Sequence, residues 1–230
     1  GATQNESPRG DVSSLFGATA QQVEGLSNVV EVALGTWARS SGQLRTNVCA
    51  RGRDGSVSCL GSGDNGVLGN GSRAWSQAPV AVHELNDAGQ IIFAGNSACA
   101  LRSDDTVWCW GANRFGSLGM GMEPDLLAHR VPNLNSAVKV ASTGPSGCAL
   151  RQDQSVWCWG QNWAGQLGNG ARQHSYQPVA VQQLGPTRQI TSSWASTCAI
   201  LVDGTSKCWG SGSFGTLGNG VSGMRTYVDE

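Results

Sequence analysis

The chain has 230 residues and a mass of 23.9 kDa, with 33 Gly, 9 Trp, 8 Cys and only 13% charged residues. Abundant glycine with few charges disfavours long surface helices and favours many short strands joined by tight turns. The formal net charge is −1, and the 13 Arg and 2 Lys are spread along the chain, so we expect no nucleic-acid partner. No apolar stretch approaches the ~20 residues of a membrane helix, so we expect no membrane insertion.

The chain opens with a polar segment. Residues 1–17 are predicted to form an N-terminal tail ahead of one domain, residues 18–230. Within that domain, Ala20–Glu24 precede Leu26 in the way that apolar runs precede equivalent leucines later in the chain. We therefore predict that residues 20–24 form a strand.

From residue 49 onward the sequence repeats itself. Four segments align without gaps, and their first cysteines are separated by 50, 49 and 50 residues. A period near 50 residues is typical of repeat architectures such as propellers. The aligned segments are 49–71, 99–121, 148–170 and 198–220.

Each segment is predicted to be a β-hairpin with a three-residue loop. In the fourth copy the loop is Val202-Asp203-Gly204, which suits a type I turn followed by a left-handed glycine. Such a loop places the two cysteines of each copy opposite each other, close enough for a disulfide. The predicted pairs are Cys49–Cys59, Cys99–Cys109, Cys148–Cys158 and Cys198–Cys208.

Two further apolar runs flank each hairpin. One precedes it (29–33, 90–94, 138–141 and 188–191) and the other follows it (79–82, 129–131 and 178–181). Four strands per repeat make an all-β fold, a β-propeller of four-stranded antiparallel blades. We expect the strand at residues 20–24 to complete the last blade. The alternative is an arc of a larger ring.

The cysteines and histidines do not suggest a metal site or an enzyme. The C-x9-C spacing differs from the C-x2-C of zinc sites, and His83, His129 and His174 fall in different repeat columns. No nucleophile motif or metalloprotease motif occurs. We therefore expect no catalytic residue, no metal and no cofactor. Four disulfides imply an oxidising compartment, so the predicted location is extracellular, periplasmic or at the cell surface.

The hairpin ends carry a recognisable motif. Trp159 to Gly170 reads W-G-Q-N-W-A-G-Q-L-G-N-G, and Trp110 to Gly121 is nearly the same. This motif resembles the regulator of chromosome condensation repeat family, over about residues 20–228. The resemblance implies a propeller, usually of seven blades, that makes protein–protein contacts. The paired cysteines look like those of secreted bacterial members. Departures from the pattern are Leu60 for the first Trp, and Gly63 and Gly212 for Asn.

The repeat itself accounts for most conspicuous residues. Strand tryptophans are predicted to pack between blades, and the turn aspartates to accept backbone N–H bonds. Candidate binding residues lie where the repeat is broken: an insertion at 36–48, the segment 122–127 with an exposed leucine pair, and tryptophans outside the strand columns. They are Trp37, Arg39, Leu44, Arg45, Trp75, Met122, Leu126, Leu127, Trp163 and Trp194. The alternatives are a drifting surface loop for the insertion and local packing for the tryptophans.

These patterns favour a secreted or cell-surface binding module that acts through divergent loops on one propeller face. The expected partner is another protein, and self-association or docking of further blades is a related possibility. One alternative is a structural blade segment of a larger extracellular repeat protein. Another is a proteinaceous inhibitor of a secreted enzyme.

Overall fold

The computed structural model describes residues 20–38, 44–94, 96–122, 125–142, 144–193 and 195–220. These residues form fifteen strands grouped into four successive antiparallel sheets, or blades. Blade 1 contains β1 (Val29–Ala38), β2 (Leu44–Gly52), β3 (Val57–Gly61) and β4 (Ser76–Ala81). Blade 2 contains β5 (Ala88–Ala94), β6 (Ser97–Arg102), β7 (Val107–Gly111) and β8 (Asp125–Arg130). Blade 3 contains β9 (Ala137–Ser142), β10 (Ser146–Arg151), β11 (Val156–Gly160) and β12 (Ser175–Ala180). Blade 4 contains β13 (Thr187–Ser193), β14 (Ser196–Leu201) and β15 (Ser206–Gly210).

The predicted all-β propeller architecture is confirmed. Strands follow sequence order within every blade, so each strand pairs with its neighbour in the chain. The first strands of successive blades, β1, β5, β9 and β13, lie side by side. The only helical elements described are three short 3₁₀ turns, Asp64–Gly66, Arg114–Gly116 and Ser213–Gly215.

The predicted strand at residues 20–24 does not form. Residues 20–23 form no regular element, and a turn follows at Glu24 and Gly25. A Cβ placed on Gly25 would lie 3.6 Å from Pro79, so this segment runs beside the outer strand of blade 1 rather than reaching blade 4. Among the described residues β15 pairs with β14 alone. The described blades therefore form an arc, the alternative expected from the sequence.

The hairpin register confirms all four disulfides. In every blade the two cysteines face each other across the second and third strands. Their Cα atoms are 4.0–4.1 Å apart, and no cysteine remains free. Six of the eight cysteines are buried, whereas Cys198 and Cys208 of blade 4 are only partly buried.

Contacts between blades are made by two chemically different sheet faces. We call the face of a blade that packs against the next blade in the chain its trailing face, and the opposite face its leading face. The trailing face carries the disulfide with Val and Leu, and the leading face of the next blade carries Ala and Trp. Trp110 and Trp159 are fully buried at these contacts. The indole N–H of Trp110 donates to Val67 O at 2.9 Å, and that of Trp159 to Ser117 O at 3.0 Å, both in the preceding blade. Inter-blade packing of the strand tryptophans is thus confirmed.

The turns between the second and third strands also form as predicted. The third turn residue is left-handed in every blade: Gly55, Asp105, Gln154 and Gly204 have φ of 83°, 62°, 67° and 88°. The preceding aspartate accepts a backbone N–H two residues on, as in the bond from Thr106 N to Asp104 Oδ1 at 3.1 Å. The aspartates are Asp54, Asp104, Asp153 and Asp203.

We expect these turn aspartates to make stability depend on pH. A Ser or Thr hydroxyl donates to each carboxylate and lowers the pKa of that aspartate. The resulting stabilisation is complete above the ordinary aspartate pKa of about 3.9 and is lost as the pH falls through the lower folded pKa. The Tm of the protein should therefore fall more steeply in acid than that of the quadruple Asp→Asn variant, whose amide oxygens still accept the turn bonds. Glu84→Gln, which removes an exposed carboxylate elsewhere, should keep the steep fall; equal slopes for all three proteins would contradict the prediction.

Candidate binding face

Antiparallel order places the connections of each blade alternately at its two ends. The connection between the first and second strands and that between the third and fourth lie at the same end of the blade. We call this end the upper face. The aspartate turns and the links between blades lie at the opposite end, the lower face.

The eight candidate residues that the structure describes belong to the upper face. Trp75, Met122 and Trp163 lie between third and fourth strands, and Leu126 and Leu127 near the start of β8. Trp37, Leu44 and Arg45 lie at the upper ends of β1 and β2. The other two candidates, Arg39 and Trp194, lie outside the described residues. The described divergent positions thus run from Trp37 to Trp163 in sequence but share one end of the fold.

The insertion in blade 1 is a β-ribbon over much of its length rather than the predicted loop. In blade 2 the corresponding ladder ends at the pair Ala94–Ser97. In blade 1 it continues past Gly35–Asn47 through three more pairs: Thr36–Thr46, Trp37–Arg45 and Ala38–Leu44. Backbone hydrogen bonds therefore hold Trp37 and Arg45 opposite each other on an extension of the sheet. Residues 39–43 at its tip lie outside the described part.

The remaining candidates fall into two groups, three exposed side chains and two half-buried leucines. The side chains of Trp75, Met122 and Trp163 are 48%, 70% and 52% exposed. Leu126 and Leu127 are only half-buried and not the open pair that the sequence predicted, because they pack across the blade boundary. A Cβ on Gly66 would lie 2.5 Å from Leu126, so that glycine makes room for the leucine.

Trp163 belongs to an aromatic patch that the sequence did not predict. Its ring centroid lies 4.7 Å from that of Phe115 and 5.1 Å from that of His174, and the last two are 4.8 Å apart. We call these three rings the aromatic patch. Tyr176, 36% exposed, packs beside it over Gly116. The sequence signals were Trp163, which lies outside the strand columns, and an aromatic side chain at Phe115 where blade 1 has Asn65.

The imidazole of His174 fixes the loop that carries Trp163. Its Nδ1 accepts a hydrogen bond from the backbone N–H of Asn162 at 3.0 Å, so the proton of the neutral ring lies on Nε2. Asn162 is fully buried, accepts from Leu167 N and donates to Ala171 O and Gln173 O. Hydrogen bonds of His174 and Asn162 therefore fix the conformation of the loop that carries Trp163.

We expect NMR to find His174 as the Nε2–H tautomer at neutral pH. Burial lowers the pKa of His174, and protonation at Nδ1 would also oppose the Asn162 N–H. Because the folded pKa is lowered, the stabilisation from this residue is complete above the ordinary histidine pKa of about 6.5 and is lost as the pH falls through the folded value. Long-range ¹H–¹⁵N correlation spectra over a pH titration measure both properties. An Nδ1–H tautomer, or a midpoint above the ordinary value, would contradict the assignment.

Charge differs between the two faces. The described side chains of the upper connections include Arg45, Arg73, Arg114 and Arg172, with Asp64 as the acidic member. The lower connections carry many more carboxylates: Glu24, Asp54, Glu84, Asp87, Asp104, Asp105, Asp153 and Asp203. The lower end also carries basic side chains, among them Arg51, Arg102 and Arg151, which pair with carboxylates there, so the described upper connections are basic whereas the lower end has both signs of charge.

Blade 1 also leaves its leading face open. Val32 and Leu34 are 62% and 67% exposed, whereas Ile91 and Phe93, at the same register positions in blade 2, are 4% and 8% exposed. The lower half of this face forms a cleft of about 540 Å³. Gly52, Asp54 and Ser58 lie in its wall, so the cleft is polar where the upper half is apolar.

The described part of the chain offers no constellation for metal chemistry. No group of three His, Cys, Asp or Glu side chains there is arranged to hold a metal ion. Helices long and apolar enough to cross a bilayer are absent from the same residues.

Comparisons with known proteins agree with the fold. The Regulator of chromosome condensation (RCC1) repeat matches residues 153–200, and a second description of the same repeat matches residues 95–117. The structure of Prp20p from Saccharomyces cerevisiae, described with its binding properties to Gsp1p and histones, superposes with a TM-score of 0.71 at 18% identity. That match covers 86% of this chain and 49% of Prp20p.

Two further structures share the fold. The ectodomain of the Physcomitrella patens receptor kinase CR4 has a TM-score of 0.56 at 19% identity, covering 88% of this chain and 48% of that one. Human WBSCR16 has a TM-score of 0.61 at 18% identity, covering 72% and 44%. No curated protein matches the sequence. The chain thus spans about half the length of these structures or less, and at such identities they show the fold alone. The protein is a β-propeller in which two of the four hairpin repeats match the regulator of chromosome condensation repeat.

Proposed function

We propose that this propeller is a protein-binding module that engages its partner through the upper face. The observation that carries the proposal is the convergence of the divergent segments on that one end. Repeats that keep their pattern supply the scaffold, and departures from the pattern concentrate where binding surfaces form.

The chemistry of the upper face supports this function. Its exposed large side chains are Trp75, Met122 and Trp163. Trp, Met and Arg are residue types enriched in protein interfaces, and truncation of Trp or Arg in particular often costs much of the affinity. The lower face presents short polar turns and carboxylates instead. A partner is therefore expected at the upper end.

We also propose that the module works in an oxidising compartment, extracellular, periplasmic or at the cell surface. Four disulfides, one in each blade, support this location. A reducing cytosol would keep these thiols apart and remove a cross-link from every hairpin.

Affinity capture from the extracellular fraction of the source tests the proposal. The immobilised protein should retain a partner that is then purified and shown to bind directly. The double variant Trp75→Ala/Trp163→Ala, or a variant with residues 37–45 scrambled, should lose that partner. The matched control Glu84→Gln alters an exposed lower-face residue and should keep it. Full retention by both upper-face variants would overturn the assignment of the face.

A second candidate is a blade segment of a larger extracellular repeat protein. The exposed Val32 and Leu34 favour it, because the same register positions are buried in blade 2. Further copies of the C-x9-C hairpin in the reading frame of the source gene would support this candidate. If the isolated chain is monomeric and Val32→Lys/Leu34→Lys leaves the stability of the intact gene product unchanged, the leading face docks no blade.

A further inference from the structure

The aromatic patch is an exposed, preformed cluster at the boundary of blades 2 and 3. Phe115 comes from the 3₁₀ turn of blade 2, whereas Trp163 and His174 come from the long connection of blade 3. Each ring lies within 5.1 Å of the other two, centroid to centroid. Over half of the Trp163 side chain remains exposed. Such a cluster offers a large apolar surface whose rings need little further ordering when a partner binds.

The backbone holds Phe115 in a conformation that its side chain does not favour. Its φ of 59° lies in the left-handed region, which bulky residues seldom adopt. Blade 1 places Asn65 at the same point, also at φ 59°, and asparagine tolerates that region. The packing of Phe115 against Trp163 and His174 keeps the ring at the blade boundary in spite of this preference.

The polar groups around the patch disfavour a carbohydrate ligand. The Asn162 amide is fully buried and bonded within the loop, and Oε1 of Gln166 accepts from Ala164 N. The hydrogen bonds of these amides are therefore made within the loop, and the amides are poorly placed to bind the hydroxyls of a sugar. What the patch presents instead is ring surface and the Nε2–H of His174, with Nδ1 already engaged.

Charge near the patch is positive. The guanidinium of Arg114 lies 5.4 Å from the centre of the Phe115 ring, and its side chain is exposed. Arg172 lies in the same connection as Trp163 and His174. The blade 3 connection between β11 and β12 contains Arg172 and no acidic residue, whereas the blade 2 connection between β7 and β8 contains Arg114 and, outside the described residues, Glu123. The described residues of these two connections thus contribute two arginines and no carboxylate.

We propose that the aromatic patch is the docking site for a segment of a partner protein in which a carboxylate stands next to an apolar or aromatic side chain. The apolar group packs on Trp163 and Phe115, and the carboxylate faces Arg114. This inference rests on the proposed protein-binding function and names both the site and the partner chemistry. Aromatic rings and arginine are the side chains that most often dominate such contacts.

A displayed library of random short peptides, selected on the intact disulfide-bonded protein, tests the proposal. Sequences that pair Asp or Glu with Leu, Phe or Trp should be enriched on the wild type. A synthetic peptide from that set should bind Trp163→Ala at least about tenfold more weakly. Trp75→Ala, which removes an equally exposed Trp from the upper face of blade 1, should bind it as the wild type does. Near-UV circular dichroism of each variant establishes that the fold is retained.

Salt and charge provide a second measurement. Arg114→Gln should weaken the same peptide several-fold and flatten the dependence of its affinity on salt. The proposal is overturned if the enriched peptides are basic or uncharged, if none is enriched, or if Trp163→Ala binds them unchanged. Trp163-dependent binding on a glycan array, without peptide binding, would assign the patch to carbohydrate and also overturn it. If a purified protein partner is lost by the scrambled 37–45 variant but kept by Trp163→Ala, the protein-binding function stands and the patch assignment fails.

Discussion

Replacing Trp159 with alanine is expected to lower the free energy of unfolding by about 3–5 kcal/mol, the range measured for large aromatic truncations in cores. The indole is fully buried between blades 2 and 3. The backbone is shaped around it, because a Cβ on Gly147 would lie 2.6 Å from the ring and one on Gly119 about 3.0 Å from it. Neither glycine can fill the space left by truncation.

The lost hydrogen bond adds to the expected effect of Trp159→Ala. The indole N–H donates to Ser117 O at 3.0 Å, and without it that buried carbonyl lacks this donor. Trp159→Phe keeps a ring in the space but removes the donor, so it should cost less than alanine. Both changes act on the contact that joins two blades, and a typical domain has only about 5–15 kcal/mol in total.

Urea unfolding with the disulfides intact, followed by circular dichroism, measures this prediction. The matched control is Trp163→Ala, because Trp163 is 52% exposed and its truncation should change stability far less. The order expected for the loss of stability is Trp159→Ala, then Trp159→Phe, then Trp163→Ala. A Trp159→Ala variant as stable as Trp163→Ala would show that the inter-blade contact does not depend on the indole.

Local patterns explain why so much of the scaffold was predictable from sequence. A three-residue turn fixes which residues face each other, so the cysteine pairs followed from counting outward from Asp54-Gly55 or Asp203-Gly204. Period-2 alternation likewise placed Trp108 and Trp110 on one sheet face. These features depend on contacts between residues close in sequence, and all were confirmed in the structure.

Non-local geometry explains what the sequence did not predict. The strand expected at residues 20–24 would have paired with β15 nearly 190 residues later, and no local pattern reports whether two blades so far apart meet. The aromatic patch joins Phe115 to His174 across a blade boundary. Only Trp163 was singled out, because it departs from its repeat column, whereas the other two rings become neighbours through the fold. The ribbon of blade 1 is not evident from the sequence because its pairs, such as Thr36–Thr46, have no counterpart in the other repeats.

Reduction of the disulfides is expected to remove most of the stability of the propeller, and to do so in a defined order. Each bridge closes a separation of 10 residues, for which chain-entropy estimates give roughly 2–3 kcal/mol. Four such contributions are comparable to the whole stability of a typical domain, about 5–15 kcal/mol. The fully reduced chain should therefore lose its cooperative unfolding transition or retain it only at a much lower Tm.

The order of reduction follows from how the blades cover one another. The trailing face of blades 1 to 3 is covered by the next blade, which leaves their cysteines 0–2% exposed. The trailing face of blade 4 has no such cover among the described residues, and Cys198 and Cys208 are only partly buried. Because a phosphine or thiolate must reach a sulfur atom to reduce it, the Cys198–Cys208 bridge should open first in the native protein.

Limited reduction under native conditions, alkylation of the freed thiols and peptide mass analysis measure this order. We expect Cys198 and Cys208 to be labelled while the other six cysteines stay protected until the blades separate. The paired variants Cys198→Ala/Cys208→Ala and Cys148→Ala/Cys158→Ala provide a matched comparison, since the first should leave the remaining bridges as slow to reduce as before. The second removes a bridge from the contact between blades 3 and 4 and should speed the loss of Cys198–Cys208. Equal labelling of all eight cysteines from the start would mean that the blades do not protect their bridges, and that the trailing faces open without global unfolding.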